Sequence, residues 1–307
     1  MRSQFATGVA LALFAVVTWG AQFPIAKSAF AAVDPYHVSA IRYLAGTAAL
    51  IPIVAWQRGA GALGYHGRGP TVALLGVIGM SASPLLVFAG LGLTRPEHTA
   101  IIVSLQPSMT AVADWLVRGR RPAGFTIGCI ATAFLGVVLV VTKGDPRLAF
   151  AAGELAGDAM VLAGALCWVV YTMGTERFGG WSALKLTVLT LIPGTIGLWL
   201  ATAALAWLGV AHAPAWGAVR SVLPELAFLS FVGVAAAMIC WNAGNRRIGA
   251  LNAMLLINLL PVVTFAVGFA QGARFTRAEL AGGAVVIGAL VANNAYLRRT
   301  RAGRSLR

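Results

Sequence analysis

The chain has 307 residues, of which 59% are hydrophobic and only 10% charged. Soluble domains carry about a quarter charged residues, so this composition excludes a soluble enzyme or signalling domain. The net charge of +14 does not indicate a nucleic-acid partner, because the basic residues sit at the ends of apolar blocks and in short loops, where topology charges belong.

The apolar blocks are roughly 20 residues long, enough to cross about 30 Å of hydrocarbon. In chain order the predicted spans are 5–27, 36–56, 70–92, 96–117, 123–143, 156–176, 182–209, 224–244, 249–271 and 278–297. The connections are short, and the longest polar stretches lie around Arg58–Pro70, Gly144–Asp158 and His212–Val222. No room remains for a folded extramembrane domain. The expected fold class is an all-α membrane protein with ten transmembrane helices. The first block runs on past the length of a signal-peptide core and shows no A-x-A site, so it reads as a retained helix.

Placing the N-terminus inside puts 15 Lys and Arg on the cytoplasmic side and 7 on the other, with Arg42 inside a span. Both termini are therefore expected in the cytoplasm of a bacterial cell, with the chain in the inner membrane.

An internal repeat follows from the fourth and ninth spans. Ser104-Leu-Gln-Pro107-Ser-Met-Thr110 aligns with Asn258-Leu-Leu-Pro261-Val-Val-Thr264 at an offset of 154. Near the start of each half, Trp19 and Trp168 hold similar places in a first span. Five spans per half force opposite orientations, the inverted repeat of many secondary transporters. The division expected is 1–147 and 148–307.

Candidate cavity residues are polar or aromatic side chains at helical spacing on these spans. Span one offers Trp19, Gln22 and Phe23, span two Arg42, and span three Ser83 and Phe88. Span four offers Ser104, and span six Trp168 and Tyr171. Span eight offers Trp241, Asn242 and Asn245, and span nine Asn258. A polar group in hydrocarbon seeks a partner, so each faces either a neighbouring helix or a wet cavity. Lys27 ends span one and Arg42 enters span two; each snorkels to the interface or meets a substrate carboxylate, and Arg42, within the apolar block, is the better placed for the second role. Pro107 and Pro261, matched by the repeat, predict paired bends and hinges. Gly124-xxx-Gly128 and Ala278-xxx-Gly282 permit close packing, within the bundle or between protomers, and packing within the chain is the expected one.

Asp114 reads as the clearest intramembrane acid, with Arg118 placed to pair with it one turn on. Asp114 and His98 are the candidate coupling sites. With Asp114 neutralised and no well-placed, unpaired carboxylate read in a span interior, downhill movement of the solute, by facilitated diffusion or exchange, is expected. Among soluble-enzyme and metal motifs, HExxH, the P-loop and GxSxG are missing. No catalytic residue, cofactor or metal is expected.

Trp19-Gly-Ala-Gln-Phe-Pro-Ile-Ala-Lys27, Arg42-Tyr-Leu44, and the stretch from Leu91 through Pro107 to Val140, repeated at 246–291, occur in an order that resembles the EamA-type ten-helix branch of the drug/metabolite transporter superfamily. The resemblance covers essentially the whole chain. It implies alternating access around a central cavity, and within the branch the chain looks most like exporters of amino acids, those of aromatic amino acids among them. One departure is Gly119-Arg120, where the family often carries Gly-Glu. A small-molecule substrate and the lipid bilayer are the implied partners. Export of drugs, nucleosides or sugars is the alternative, and a membrane-embedded enzyme or a channel the alternative of another class.

Overall fold

A computed structural model describes residues 2–58, 63–119, 121–145, 152–178, 180–248 and 256–305. Among these residues the chain is helical throughout. Eight helices are long and apolar enough to cross a membrane: Gln4–Ala29, Pro35–Gln57, Gly69–Leu93, Gly124–Thr142, Glu154–Phe178, Leu184–Trp207, Leu223–Ile248 and Arg277–Leu297. They are spans one, two, three, five, six, seven, eight and ten. Span four is a pair, Pro96–Ser104 and Gln106–Arg118, bent by 40°. Span nine is described over Leu260–Ala270, and its expected first part, with Asn252, lies outside the described residues. The polar stretch before span eight contains a short helix, Trp216–Ser221. Both chain ends lie at one end of the bundle, here the proximal end; the opposite end is distal.

The breaks follow from proline chemistry. Leu105 turns between the two parts of span four (φ −76°, ψ −7°), and Pro107 stands second in the next helix. Leu259 does the same before Pro261 (φ −79°, ψ −13°). Proline removes the bond to the carbonyl four residues back and crowds it, so the helix restarts rather than continues. The two breaks keep the offset of 154. The expected bend is present in span four, and the matching turn precedes span nine.

Spans three and eight each contain a widened, π-helical stretch, Val77–Ala82 and Phe228–Ala236. Such insertions cluster at functional sites. The repeat places the first on the second, and Gly79 falls on Gly233.

Small residues let the halves approach. Spans five and ten run antiparallel through Gly136 and Gly282: a Cβ on Gly136 would lie 2.9 Å from the Gly282 carbonyl, and the reciprocal distance is 2.7 Å. The expected Gly124-xxx-Gly128 packing is not found, because a Cβ on either would meet nothing within 4 Å. The buried face of span five runs instead through Ala133, Gly136 and Val140, about 80–140° around the helix from Gly128. Spans three and six approach through Gly90 and Gly157, and spans one and eight through Gly8 and Gly244. Leu135, Leu200 and Phe269 are exposed on the outside of the bundle, as a lipid-facing surface requires. Trp56, Trp207 and Trp216 are exposed near helix ends, where aromatic belts form.

Candidate functional site

The candidate residues fall into two groups. The first gathers spans one, two, three and eight. Trp19 stacks obliquely on Trp241 with ring centroids 5.3 Å apart, and its Nε1 donates to the Gly233 carbonyl at 3.1 Å. That carbonyl belongs to the π-helical stretch of span eight, whose altered register aims it at span one. One turn on from Trp19, Gln22 Oε1 accepts from Arg42 Nη1 at 3.0 Å. The Arg42 guanidinium carbon lies 3.7 Å from the centroid of the Phe88 ring and 4.9 Å from that of Tyr43. Phe23 and Phe88 are buried in the same apolar cluster, which also takes in Ile257 and Leu260 of the ninth segment. Asn258, between them, is buried, and neither its Nδ2 nor its Oδ1 has a protein partner.

The second group lies on spans six and seven. Trp168 and Tyr171 rings are 5.2 Å apart, Tyr171 meets Thr190 Oγ1 at 3.3 Å, and its ring covers Gly79. Asn242 donates to Thr187 Oγ1 at 2.9 Å. It therefore turns to span seven, while its neighbour Trp241 turns to span one. Ser104 is buried and donates to the Ile101 carbonyl at 2.7 Å within its own helix, so its hydroxyl is spent locally. Ser83 is buried just past the π-helical stretch of span three. Asn245 is half-buried, with Oδ1 unpartnered.

Charged residues concentrate at the two ends. Asp114 pairs with Arg118 at 3.0 Å, and Arg118 also reaches Glu176 at 2.7 Å. This proximal group is partly exposed. The expectation that Asp114 is the clearest intramembrane acid needs correction. Asp158, inside predicted span six, is buried and accepts from Thr94 Oγ1 at 2.6 Å, with His98 Nδ1 at 3.2 Å from its other oxygen. His98 is 0% exposed, and its Nε2 has no protein partner. Sequence reading missed Asp158 because it sits in the first turns of its span, where acids commonly serve the helix dipole. A signal was available in the small, apolar residues on both sides of it.

Around this pair lies a distal layer of charge. Arg95 reaches Glu279 at 2.6 Å and Glu154 at 4.0 Å, and Lys143 reaches Glu154 at 3.4 Å. Glu97 is buried, and a Cβ on Gly268 would lie 3.1 Å from its Oε1. Lys27 donates to the carbonyls of Leu91, Gly92 and Thr94 at 2.7–2.9 Å. It caps the distal end of span three instead of snorkelling or facing a solute. A cleft of about 510 Å³ opens at the proximal end between Gln4, Thr7, Arg246 and Arg247, away from the aromatic groups.

Inverted five-span halves, matched helix breaks and inward-turned polar and aromatic groups are the architecture of a helical membrane transporter. The sequence matches the EamA-like transporter family over residues 6–142 and 155–295. The chain belongs to that family, so it is a transporter. It is 30% identical over 302 residues to "Uncharacterized transporter YrdR" of Bacillus subtilis, covering 97% of this chain and 94% of that one. To the "Probable terminal-alkyne amino-acid exporter" of Streptantibioticus cattleyicolor it is 25% identical over 291 residues, 93% of each chain. A solved crystal structure superposes with a TM-score of 0.66 at 21% identity, covering 96% of this chain and 99% of the other, which speaks for the fold alone.

Proposed function

We propose that the protein exports small amino-acid-like metabolites across a bacterial inner membrane by alternating access, with both termini cytoplasmic. The observation that carries this reading is the group formed by Trp19, Gln22, Arg42, Phe88 and Trp241. It combines one guanidinium and one amide with aromatic walls. Such a surface suits a solute with a carboxylate and an apolar part, since a few placed polar groups orient a ligand and apolar walls hold the rest. The name of the Streptantibioticus relative agrees with an amino-acid substrate. The bend at Leu105 and the matching turn at Leu259 supply two places about which one set of helices rocks against the other.

Export of cationic drugs is the weaker reading. The buried acids Glu97, Asp158 and Glu279 lie in the distal turns of their spans, and no carboxylate faces the Trp19–Trp241 pair among the described residues. The test is counterflow in proteoliposomes preloaded with individual amino acids. Saturable exchange of at least one of them, absent from protein-free vesicles, is the expected result. Exchange of organic cations in place of every amino acid would reverse the reading.

A further inference from the structure

Arg42 enters the bundle seven residues from the start of span two, about 10 Å along the helix. Its side chain is 5% exposed. All nine acidic residues of the chain lie in described segments, and none comes within ion-pair distance of the guanidinium. Nη1 is engaged by Gln22, while Nε is buried without a protein partner. One turn earlier on the same face, Ser39 Oγ is also buried and unpartnered.

A buried cation without a counter-charge is costly, and intramembrane arginines normally pair or mark a substrate path. The Phe88 and Tyr43 rings offset part of that cost, but cation–π contacts recover much less than an ion pair in a dry site. An anion is what the group lacks. The guanidinium edge that carries Nε suits a planar, two-oxygen acceptor, and the Ser39 hydroxyl supplies a further donor beside it.

The second half sharpens the point. Gln22 and Tyr171 hold equivalent places in spans one and six, each beside a π-helical glycine. Where Gln22 meets Arg42, Tyr171 meets Thr190. The repeat thus carries one charged pair and one neutral pair, so the anion site is single. For a cation the group offers the π faces of Trp19 and Trp241, a weaker hold in a dry site than a counter-charge.

We infer that Arg42 binds the carboxylate of the transported solute, and that this carboxylate, not the ammonium group, is the obligatory charge. This rests on the proposed transport reading and narrows it. A monocarboxylate cancels the buried charge, whereas a zwitterion adds no net charge, so deaminated acids are carried at least as well as the amino acids. Decarboxylated amines are not carried.

The test uses two matched series on the purified full-length protein: phenylalanine, 3-phenylpropanoate and phenethylamine, and leucine, 4-methylpentanoate and isoamylamine. Two readouts are taken, the rise in Tm with ligand in detergent and saturable counterflow above protein-free liposomes. The expected result is response to the acids and amino acids in at least one series, and none to its amine. Arg42→Met should weaken the response to acids by about tenfold to a hundredfold, the usual worth of hydrogen bonds to a charged group. Its Tm without ligand should not fall, because removing an unpaired buried charge relieves a cost. Gln22→Glu should place a carboxylate on the guanidinium from within and abolish the response to acids. Should Arg42→Met fail to fold, Gln22→Glu still decides. Equal response to amines and acids, or wild-type response to acids in both variants, overturns the inference and leaves transport standing. No response to any of the six compounds or to any other amino acid overturns the inference and the transport reading together.

Discussion

Gly79 and Gly233 occupy the same place in the two halves, each inside a π-helical stretch and each facing the matching residue of the other half's first span, Tyr171 and Gln22. Their surroundings differ. The Tyr171 ring sits directly on Gly79, whereas a Cβ on Gly233 would find its nearest neighbour, the Phe228 carbonyl, at 3.6 Å. Gly79→Ala should therefore cost about 1–3 kcal/mol, the usual penalty of overpacking, and lower both Tm and transport. Gly233→Ala should change Tm little. Melting curves of the two purified variants decide this, and equal losses would show that the two halves pack alike here.

The close crossing of spans five and ten yields a second prediction. Gly136→Leu or Gly282→Leu should abolish folded protein, since the added side chain would strike the facing backbone. Gly128→Leu should be tolerated, because its Cβ direction is open. Size-exclusion profiles of the three variants in detergent provide the check. A monodisperse Gly136→Leu protein would mean that the crossing can separate.

Lys27 joins spans one and three at the distal end through three carbonyls. Lys27→Met leaves those carbonyls without their charged donor, at about 1–3 kcal/mol for a buried group left unsatisfied. The expected consequences are a lower Tm and faster labelling of a cysteine introduced at Leu91. Unchanged labelling would show that the distal end is held by the Arg95–Glu279 pair alone.

Asp158 and His98 bear on energy coupling. The sequence leads to downhill movement because Asp114 reads as the clearest intramembrane acid and Arg118 neutralises it. The buried Asp158–His98 contact removes that premise. A buried carboxylate held by Thr94 and His98 is the kind of intramembrane ionisable group that marks ion relays and substrate paths. With equal substrate on both sides, an imposed pH difference should drive accumulation in liposomes. Asp158→Asn should abolish the accumulation while counterflow continues. Loss of both activities, or no accumulation by the wild type, would assign the contact a purely structural role.

The fold was largely legible because its signals are collective. Spans of about 20 apolar residues identify themselves by length, and Pro107 and Pro261 fix the repeat register through a residue that shapes its own backbone. The matched glycines at 79 and 233 share that register but are lost among 36 glycines, and a π-helical stretch has no sequence rule comparable to proline. Which face of a helix turns inward is read less well. Gly128 and Gly136 look equally fit for packing until span ten is in place. Arg42 stood out as the charge within an apolar block, but its Gln22 and Phe88 partners belong to other spans. Lys27 was misread because three backbone carbonyls of span three leave no mark in a sequence.

The mismatch between Gln22–Arg42 and Tyr171–Thr190 bears on the two faces of the transport cycle. A strictly symmetric inverted repeat would make the inward-open and outward-open forms mirror one another in energy and in affinity. A guanidinium in one half and a hydroxyl in the other break that equivalence. With Arg42 holding the carboxylate as inferred, the solute meets a different electrostatic environment from each side, and half-saturation concentrations for entry and exit are expected to differ even at zero membrane potential. Such an asymmetry would trace to one charge that the duplicated scaffold does not share between its halves.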